Sequence, residues 1–350
     1  MPLRIHIGER AIGEGEKVFV IAEAGVNHNG DLSIARRLID VAVEAGADAV
    51  KFQSFKAESL VTPAAPKAEY QTRTTSIDES QLEMLRKLEL SESDHRELSS
   101  YCRERGIIFL STPFDEESAD FLDTLPVPAF KISSGDLTNI EFLEHVARKK
   151  KPLILSTGMA NLAEVRDGVT TVNAAGCDQI VLLHCVTDYP ADPFDVNLRA
   201  MQTLRDTFKV PAGFSDHTEG IEVALAATAL GAAVIEKHFT LDRHQPGPDH
   251  RASLEPQELQ AFVRGIRLVE SSLGNGEKVP TPREIETAKV ARRSLVAAHE
   301  IPASTVVERT MIALKRPGTG MPPAQLNLIL GKTTRVRIAS GALLTPDMFE

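Results

Sequence analysis

The chain has 350 residues, 42% of them hydrophobic and 25% charged, the balance of an ordinary globular protein with material for a sizeable core. Its formal net charge of −10 argues against nucleic acid or an anionic membrane as a main partner, and no apolar run reaches the roughly 20 residues a membrane helix needs. Three cysteines without a CxxC pair make neither a disulfide framework nor a zinc motif, and MPLRIHIGER lacks the pattern of a signal peptide, so a cytoplasmic protein is expected.

The opening LRIHIGERAIGEG (3–15) reads as a hairpin capping the bottom of the structure that follows. From about residue 18 to 272, short apolar runs rich in β-branched residues alternate with helical patterns. The candidate strands are 18–25, 48–54, 107–113, 129–134, 152–157, 180–186, 212–217 and 234–240. Between them lie segments such as LSIARRLIDVAVEAG (32–46) and IEVALAATALG (221–231), with Gly46, Gly106, Gly176 and Gly231 where a helix-ending glycine is expected. Near-continuous apolar strands joined by helices predict a parallel sheet covered on its outer face. Eight such units predict closure into a (β/α)₈ TIM barrel, of class α/β. An open doubly wound sheet is the competitor, but no GxGxxG follows the first strand.

The second crossover, about 55–90, is long, and its loop AESLVTPAAPKAEYQTRTTS (57–76) is expected to serve the site. The pattern changes after the barrel. The expected division is a barrel at 1–275, a polar Gly/Pro-bearing linker at 276–288, and a small, mostly β domain at 289–350 with little core of its own.

In a barrel of this kind the active site lies at the C-terminal ends of the strands. In chain order these ends carry Glu23; Lys51 and Gln53; Ser111 and Thr112; Lys131, Ser134 and Asp136; Ser156; Asp188 and Tyr189; Ser215 and His217; then Glu236, Lys237 and His238. Lys51 and Lys131 sit inside apolar strands at equivalent positions. A lysine there either snorkels outward between helices or points inward to an anion, and two together favour the inward reading. The hydroxyls of Thr112, Ser134, Ser156 and Ser215 suit the oxygens of a phosphate or carboxylate. His217 and His238 end neighbouring strands about 4.8 Å apart, so their imidazoles can share a divalent metal with positions left for water and substrate. Two histidines that merely hydrogen-bond in the rim remain the alternative.

The motifs IAEAGVNHNG (21–30), KFQSFKAESL (51–60), APKAEYQ (65–71), STPFDEES (111–118), KISSGDLTN (131–139), STGMA (156–160), LHCVTDYP (183–190), GFSDHT (213–218), EKHFTLD (236–242), GPDHRAS (247–253) and KRPGTG (315–320) occur in order. Together they resemble the sialic acid synthase family over nearly the whole chain, and the C-terminal part resembles that family's antifreeze-like (SAF) domain.

The resemblance implies a transferase that condenses phosphoenolpyruvate with an N-acetylated amino sugar to a nine-carbon 2-keto acid and phosphate. It implies a divalent metal, Mn²⁺ or else Mg²⁺, on His217 and His238. Phosphoenolpyruvate would be held by Lys51, Thr112, Lys131, Ser134, Ser156 and Ser215. Glu23, Gln53, Tyr189 and Asp249 would meet the sugar, and Glu23, Lys51, Gln53 and Asp136 would serve catalysis. Arg316 would arrive from the other subunit, which implies a domain-swapped homodimer.

Two positions depart from some members, which carry Glu and Asn where this chain has Asp136 and Thr187. The expected activity is that of an N-acetylneuraminate synthase acting on N-acetylmannosamine. The alternative is a legionaminate-type synthase acting on a 2,4-diacetamido-2,4,6-trideoxyhexose. Outside the family, a Schiff-base aldolase using Lys51 or Lys131 and a glycan-binding module are the rivals.

Overall fold

The computed structural model describes residues 4–68, 71–72, 75 and 79–350; Glu69 and Tyr70 of the APKAEYQ motif lie outside the described residues. The chain divides into two compact units, Met1–Gly274 and Asn275–Glu350. The first opens with an antiparallel hairpin, β1 (Arg4–Ile7) and β2 (Arg10–Gly13). Eight strands follow: β3 (Phe19–Gly25), β4 (Ala49–Ser54), β5 (Ile108–Pro113), β6 (Phe130–Ile132), β7 (Leu153–Ser156), β8 (Ile180–Cys185), β9 (Ala212–Asp216) and β10 (Val234–His238). They form one parallel sheet in the order β5-β4-β3-β10-β9-β8-β7-β6, a nearly closed TIM-like barrel. β5 and β6 lie side by side across a seam without a ladder. β6 is the shortest of the eight strands, ending after three residues in a tight turn at Ser134–Asp136, which leaves little backbone to pair with β5.

Helices α1 (Leu32–Ala45), α4 (Glu92–Arg105), α5 (Glu116–Asp123), α6 (Ile140–Ala147), α7 (Leu162–Ala174), α8 (Arg199–Phe208), α9 (Glu222–Ala229) and α10 (Pro256–Leu273) connect the strands and follow the last of them. The start of α1 shows why the sequence turns helical where it does. The Asp31 carboxylate accepts from the Ser33 and Ile34 N–H groups, and Gly46 closes the helix at φ 79°. Among the described residues the long second crossover also holds α2 (Ala57–Leu60) and α3 (Gln81–Leu88), before α4.

Strand side chains alternate between two cores. Val20, Ala22, Val50, Phe52, Phe109, Leu155, Leu182 and Phe214 pack outward into the helix layer. Phe19, Ile21, Ala49, Leu110, Ala129, Ile154, Val181 and Val234 form the second core, which the hairpin's Ile5, Ile7 and Ile12 complete. The hairpin thus caps the end of the barrel where the strands begin. Continuing the inward parity up each strand leads from Ile21 to Glu23, Ala49 to Lys51, Leu110 to Thr112, Ala129 to Lys131, Ile154 to Ser156 and Val234 to Glu236. The apolar half of the interior is therefore followed by a polar half.

The second unit differs from expectation in two ways. A helix, α11 (Pro282–Ala291), occupies most of the stretch expected as linker, because Thr281 and Glu284 form a capping box ahead of it. The unit also has its own core, of Leu295, Ala297, Ile301, Val307, Ile312, Met321, Ile329, Ile338, Leu344 and Phe349. Its regular β structure is one antiparallel pair, β11 (Ser294–Ala297) with β12 (Ile312–Lys315), extended by single bridges such as Ile301–Ile338 and Thr334–Phe349. Among the described residues no helix is long and apolar enough to cross a membrane.

Candidate active site

The polar half of the barrel opens into a cavity of about 450 Å³. Twelve of the candidate residues line it together: Glu23, Lys51, Gln53, Thr112, Lys131, Ser134, Ser156, Tyr189, Ser215, His217, His238 and Asp249. Two do not. Asp136 is absent from that lining: its carboxylate accepts the Ser133 hydroxyl at 2.6 Å, and Ser133 caps the short turn after β6 by accepting from the Asp136 N–H. Arg316 belongs to the second unit, where it is exposed.

At the cavity floor two lysines and two carboxylates alternate. Lys51 Nζ lies 2.7 Å from Glu23 Oε2 and 3.8 Å from Glu236 Oε2, and it donates to Thr112 Oγ1 at 3.0 Å. Lys131 Nζ lies 3.4 Å from Glu236 Oε1, which also accepts from Ser215 Oγ at 3.0 Å. All four side chains are at most 5% exposed, so both lysines point inward and neither snorkels.

The local field distinguishes them. Burial works against charge on Lys51, but Glu23 and Glu236 outweigh it and hold its pKa above the usual lysine value. Lys131 has less carboxylate around it, and burial wins, lowering its pKa. Burial opposes ionisation of Glu236, yet Lys131 and Lys51 hold that carboxyl below its usual range. Glu23 is pushed up to about 7 by burial, with Glu236 adding to it against the pull of Lys51. A carboxyl titrating near neutrality can both give and take a proton.

The walls carry unused hydrogen-bonding capacity. Ser156 Oγ and Thr187 Oγ1 are buried with no partner, which is uncommon for hydroxyls unless a ligand supplies one. Gly158 makes room beside them. A Cβ there would meet Thr187 Oγ1 at 2.2 Å and Ser134 Oγ at 2.8 Å, while its N–H donates to Ser134 Oγ at 3.0 Å.

The two histidines stand together, ring centroids 5.6 Å apart, with the Tyr189 ring 4.2 Å from that of His217. His217 Nδ1–H donates to the Val186 carbonyl at 2.6 Å, which leaves Nε2 as a lone-pair donor. His238 Nδ1 is buried without a hydrogen-bond partner, 3.9 Å from Asp249 Oδ2. Burial pushes His217 down to about 4 and His238 well below its ordinary value, so both rings are neutral at pH 7, as metal ligands must be. Burial raises Asp249 to about 6 against the pull of Lys51. Among the described residues no group of three or more His, Cys, Asp or Glu side chains forms a ligand set, so a metal here would take two imidazoles from the protein. A neutral ring with an orphaned nitrogen beside one with a fixed tautomer fits that role.

Behind the wall, the residues between these histidines' neighbours point the other way. Lys237 Nζ meets Asp216 Oδ2 at 2.8 Å and the Thr218 carbonyl at 2.7 Å, joining β9 to β10 on the helix side. His95 of α4 likewise binds Ser54 Oγ at 2.8 Å, and Ser54 binds Ser111 Oγ at 2.7 Å, tying β4 to β5.

Residues 38–278 match the NeuB family and residues 292–350 match the SAF domain. The chain belongs to the NeuB family. It is 48% identical to the N,N'-diacetyllegionaminic acid synthase of Legionella pneumophila over 347 residues, 98% of each chain. Identity to the human N-acetylneuraminate-9-phosphate synthase is 39%, across 100% of this chain and 98% of that one. Among solved structures, the N-acetylneuraminic acid synthetase of Leptospira borgpetersenii in complex with citrate aligns with a TM-score of 0.73 at 36% identity, over 82% of this chain and 95% of that one.

In this NeuB-family chain, sequence reasoning gave no role to Glu236, which shares its carboxylate between both lysines. The signal was available: Glu236 and His238 are two apart on one strand and must face the same way. Cys185, whose Sγ lies 3.1 Å from Ser134 Oγ, follows Leu183 on the inward parity of β8 and was likewise readable.

Proposed function

We propose that this NeuB-family chain is a legionaminate-type nonulosonate synthase, joining phosphoenolpyruvate to a 2,4-diacetamido-2,4,6-trideoxyhexose with release of phosphate. The observation that carries the reaction class is the cavity floor: two buried lysines shared by two carboxylates, beside unpartnered hydroxyls and two neutral imidazoles. The choice of acceptor reverses the order expected from sequence. It rests on the 48% identity to a diacetyllegionaminic acid synthase against 39% to the N-acetylneuraminate-9-phosphate synthase.

In this reading Lys51 and Lys131 hold the anionic groups of phosphoenolpyruvate, and Ser156, Ser134 and Thr112 accept or donate around them. His217 and His238 would hold a divalent cation, Mn²⁺ or Mg²⁺, which when bound supplies Lewis acidity at the acceptor's carbonyl oxygen. With the lysines fixing its anionic end, C3 of phosphoenolpyruvate bonds to the aldehyde carbon. As the aldehyde C=O π bond breaks, its oxygen takes the proton that Glu23, poised near neutrality, gives. Glu23 then takes a proton from the water that adds to C2, and the C2 hydroxyl becomes the keto group as the C–O bond to phosphate breaks, its proton leaving with the phosphate. Arg316 of one chain would serve the sugar bound by its partner in a homodimer.

Phosphate release, assayed with a panel of N-acetylated sugars with and without chelator, tests the proposal. The diacetamido sugar should give the highest kcat/KM, and chelation should stop turnover. Chelator-resistant turnover, with a lysine adduct trapped by borohydride, would establish the Schiff-base aldolase instead.

A further inference from the structure

The cavity is not polar throughout. Leu60, Val61, Met84, Leu85, Leu88 and Phe114 line part of it. Met84 and Leu88 are buried against Val26 and Phe55, with Leu60, Leu85 and Phe114 packed around them, a small core distinct from those of the barrel. Most of this wall comes from the long second crossover. Helix α3 builds the largest share because Gln81, Met84, Leu85 and Leu88, spaced i, i+3, i+4 and i+7, fall on one face. Its start is fixed by the capping box of Ser80 and Glu83.

The charges of α3 point elsewhere and are engaged. Arg86 pairs with Glu58 at 2.7 Å and Lys87 with Glu79 at 2.6 Å. Among the described residues the only cations lining the cavity are Lys51 and Lys131, both at the floor with carboxylate partners. Along these described side chains a sugar phosphate would meet mainly hydrocarbon, with Gln71 and Gln81 as the polar groups beside it, and desolvating its charge against hydrocarbon is unfavourable. A methyl group gains from the same surface. The candidate acceptors differ in this respect. N-acetylmannosamine carries one methyl group and a hydroxymethyl, its 6-phosphate carries a dianion, and a 2,4-diacetamido-2,4,6-trideoxyhexose carries three methyl groups.

We infer that this wall is the subsite for the methyl-bearing edge of the acceptor, its 6-deoxy carbon and C4 acetamido group, and that Leu60, Val61 and Leu85 determine specificity. The inference rests on the reading of the site as a nonulosonate synthase and adds the surface that selects the sugar. Leu85 and Val61 are half-buried, so they can be changed with little disturbance to the fold.

Steady-state kinetics of Leu85→Gln and of the nearly isosteric Val61→Thr should be compared with wild type on the diacetamido sugar and on N-acetylmannosamine. A buried methyl contact is worth roughly tenfold or more in kcat/KM. In Leu85→Gln the diacetamido sugar should lose about tenfold, carried by KM, while N-acetylmannosamine, which carries fewer methyl groups, loses less, so the ratio of the two kcat/KM values falls. Leu85→Met should restore the preference, and Val61→Thr should shift it in the same direction should Leu85→Gln melt early. If wild type prefers the diacetamido sugar and neither variant changes the ratio, the wall is not the selecting surface and the functional reading stands. If wild type uses only N-acetylmannosamine or its 6-phosphate, the functional reading falls and the wall assignment falls with it.

Discussion

Replacing Lys237 by methionine keeps the length of the side chain and removes its charge from a place water does not reach. In the folded chain Lys237 and Asp216 are 1% and 0% exposed at their side chains, with Nζ 2.8 Å from Oδ2. The other carboxylate oxygen is already engaged by the Thr218 N–H at 2.9 Å and its hydroxyl at 2.7 Å. The substitution therefore orphans one carboxylate oxygen and also the Thr218 carbonyl, which accepted from Nζ at 2.7 Å. An uncompensated buried charge costs roughly 3–5 kcal/mol, and an orphaned carbonyl about 1–3 kcal/mol. The charge dominates, and the expected loss is about 4 kcal/mol or more. At roughly 2–4 °C per kcal/mol for a unit of this size, calorimetry should show the barrel transition lowered by about 10 °C. Adding Asp216→Asn removes the stranded charge while keeping an acceptor for Thr218, so the double variant should recover more than half of the loss. A double variant as unstable as Lys237→Met alone would refute the reasoning, because the cost would then lie in packing and not in the broken pair.

Mn²⁺ titrated into the wild-type chain should bind stoichiometrically by calorimetry, and His217→Ala and His238→Ala should each abolish binding without lowering the metal-free Tm; binding that survives both substitutions together excludes the pair as ligands. Burial holds His28 and His250 near pKa 4, below the ordinary value of 6.5, so the unfolded chain takes up protons first as the pH falls. Stability should be full above about pH 6.5 and decline toward pH 4, by about 3 kcal/mol for His28 alone; a Tm that is flat between pH 7 and 4.5 would contradict this. Mixing inactive Lys131→Ala with inactive Arg316→Ala should restore turnover as subunits exchange, since one mouth in the mixed dimer is whole. Confirmed exchange with no activity would remove the arginine from the partner's site.

The barrel was legible because its strands are buried on both faces and read as continuous apolar runs, as in β8, IVLLHC. The inward lysines were legible for the same reason, since a charge within such a run must find an anion. Glu236 stands out in the sequence only as a strand-end carboxylate, although the strand period binds it to the face of the histidine two residues later. Asp136 stands at a strand end and lies in the short turn that Ser133 caps, and a three-residue strand leaves no periodicity to show which way its side chain faces. In the second crossover the length of the loop was plain. Its helix α3 was announced only by Ser80-x-x-Glu83, a local signal hidden in a polar surrounding. The core of the second unit was least legible, because outside its one short ladder the pairing consists of isolated bridges with no repeating pattern to read.

Seven ladders join eight strands, so the ring closes between β5 and β6 by adjacency without backbone pairing. The edges carry complementary equipment: Thr112 stands on β5, already gripped by Lys51 of the adjoining strand, and Lys131 stands on β6. On the proposed reading of the site, an anion held by both groups at once would bridge the seam, so its binding would also strengthen the barrel where backbone pairing is missing.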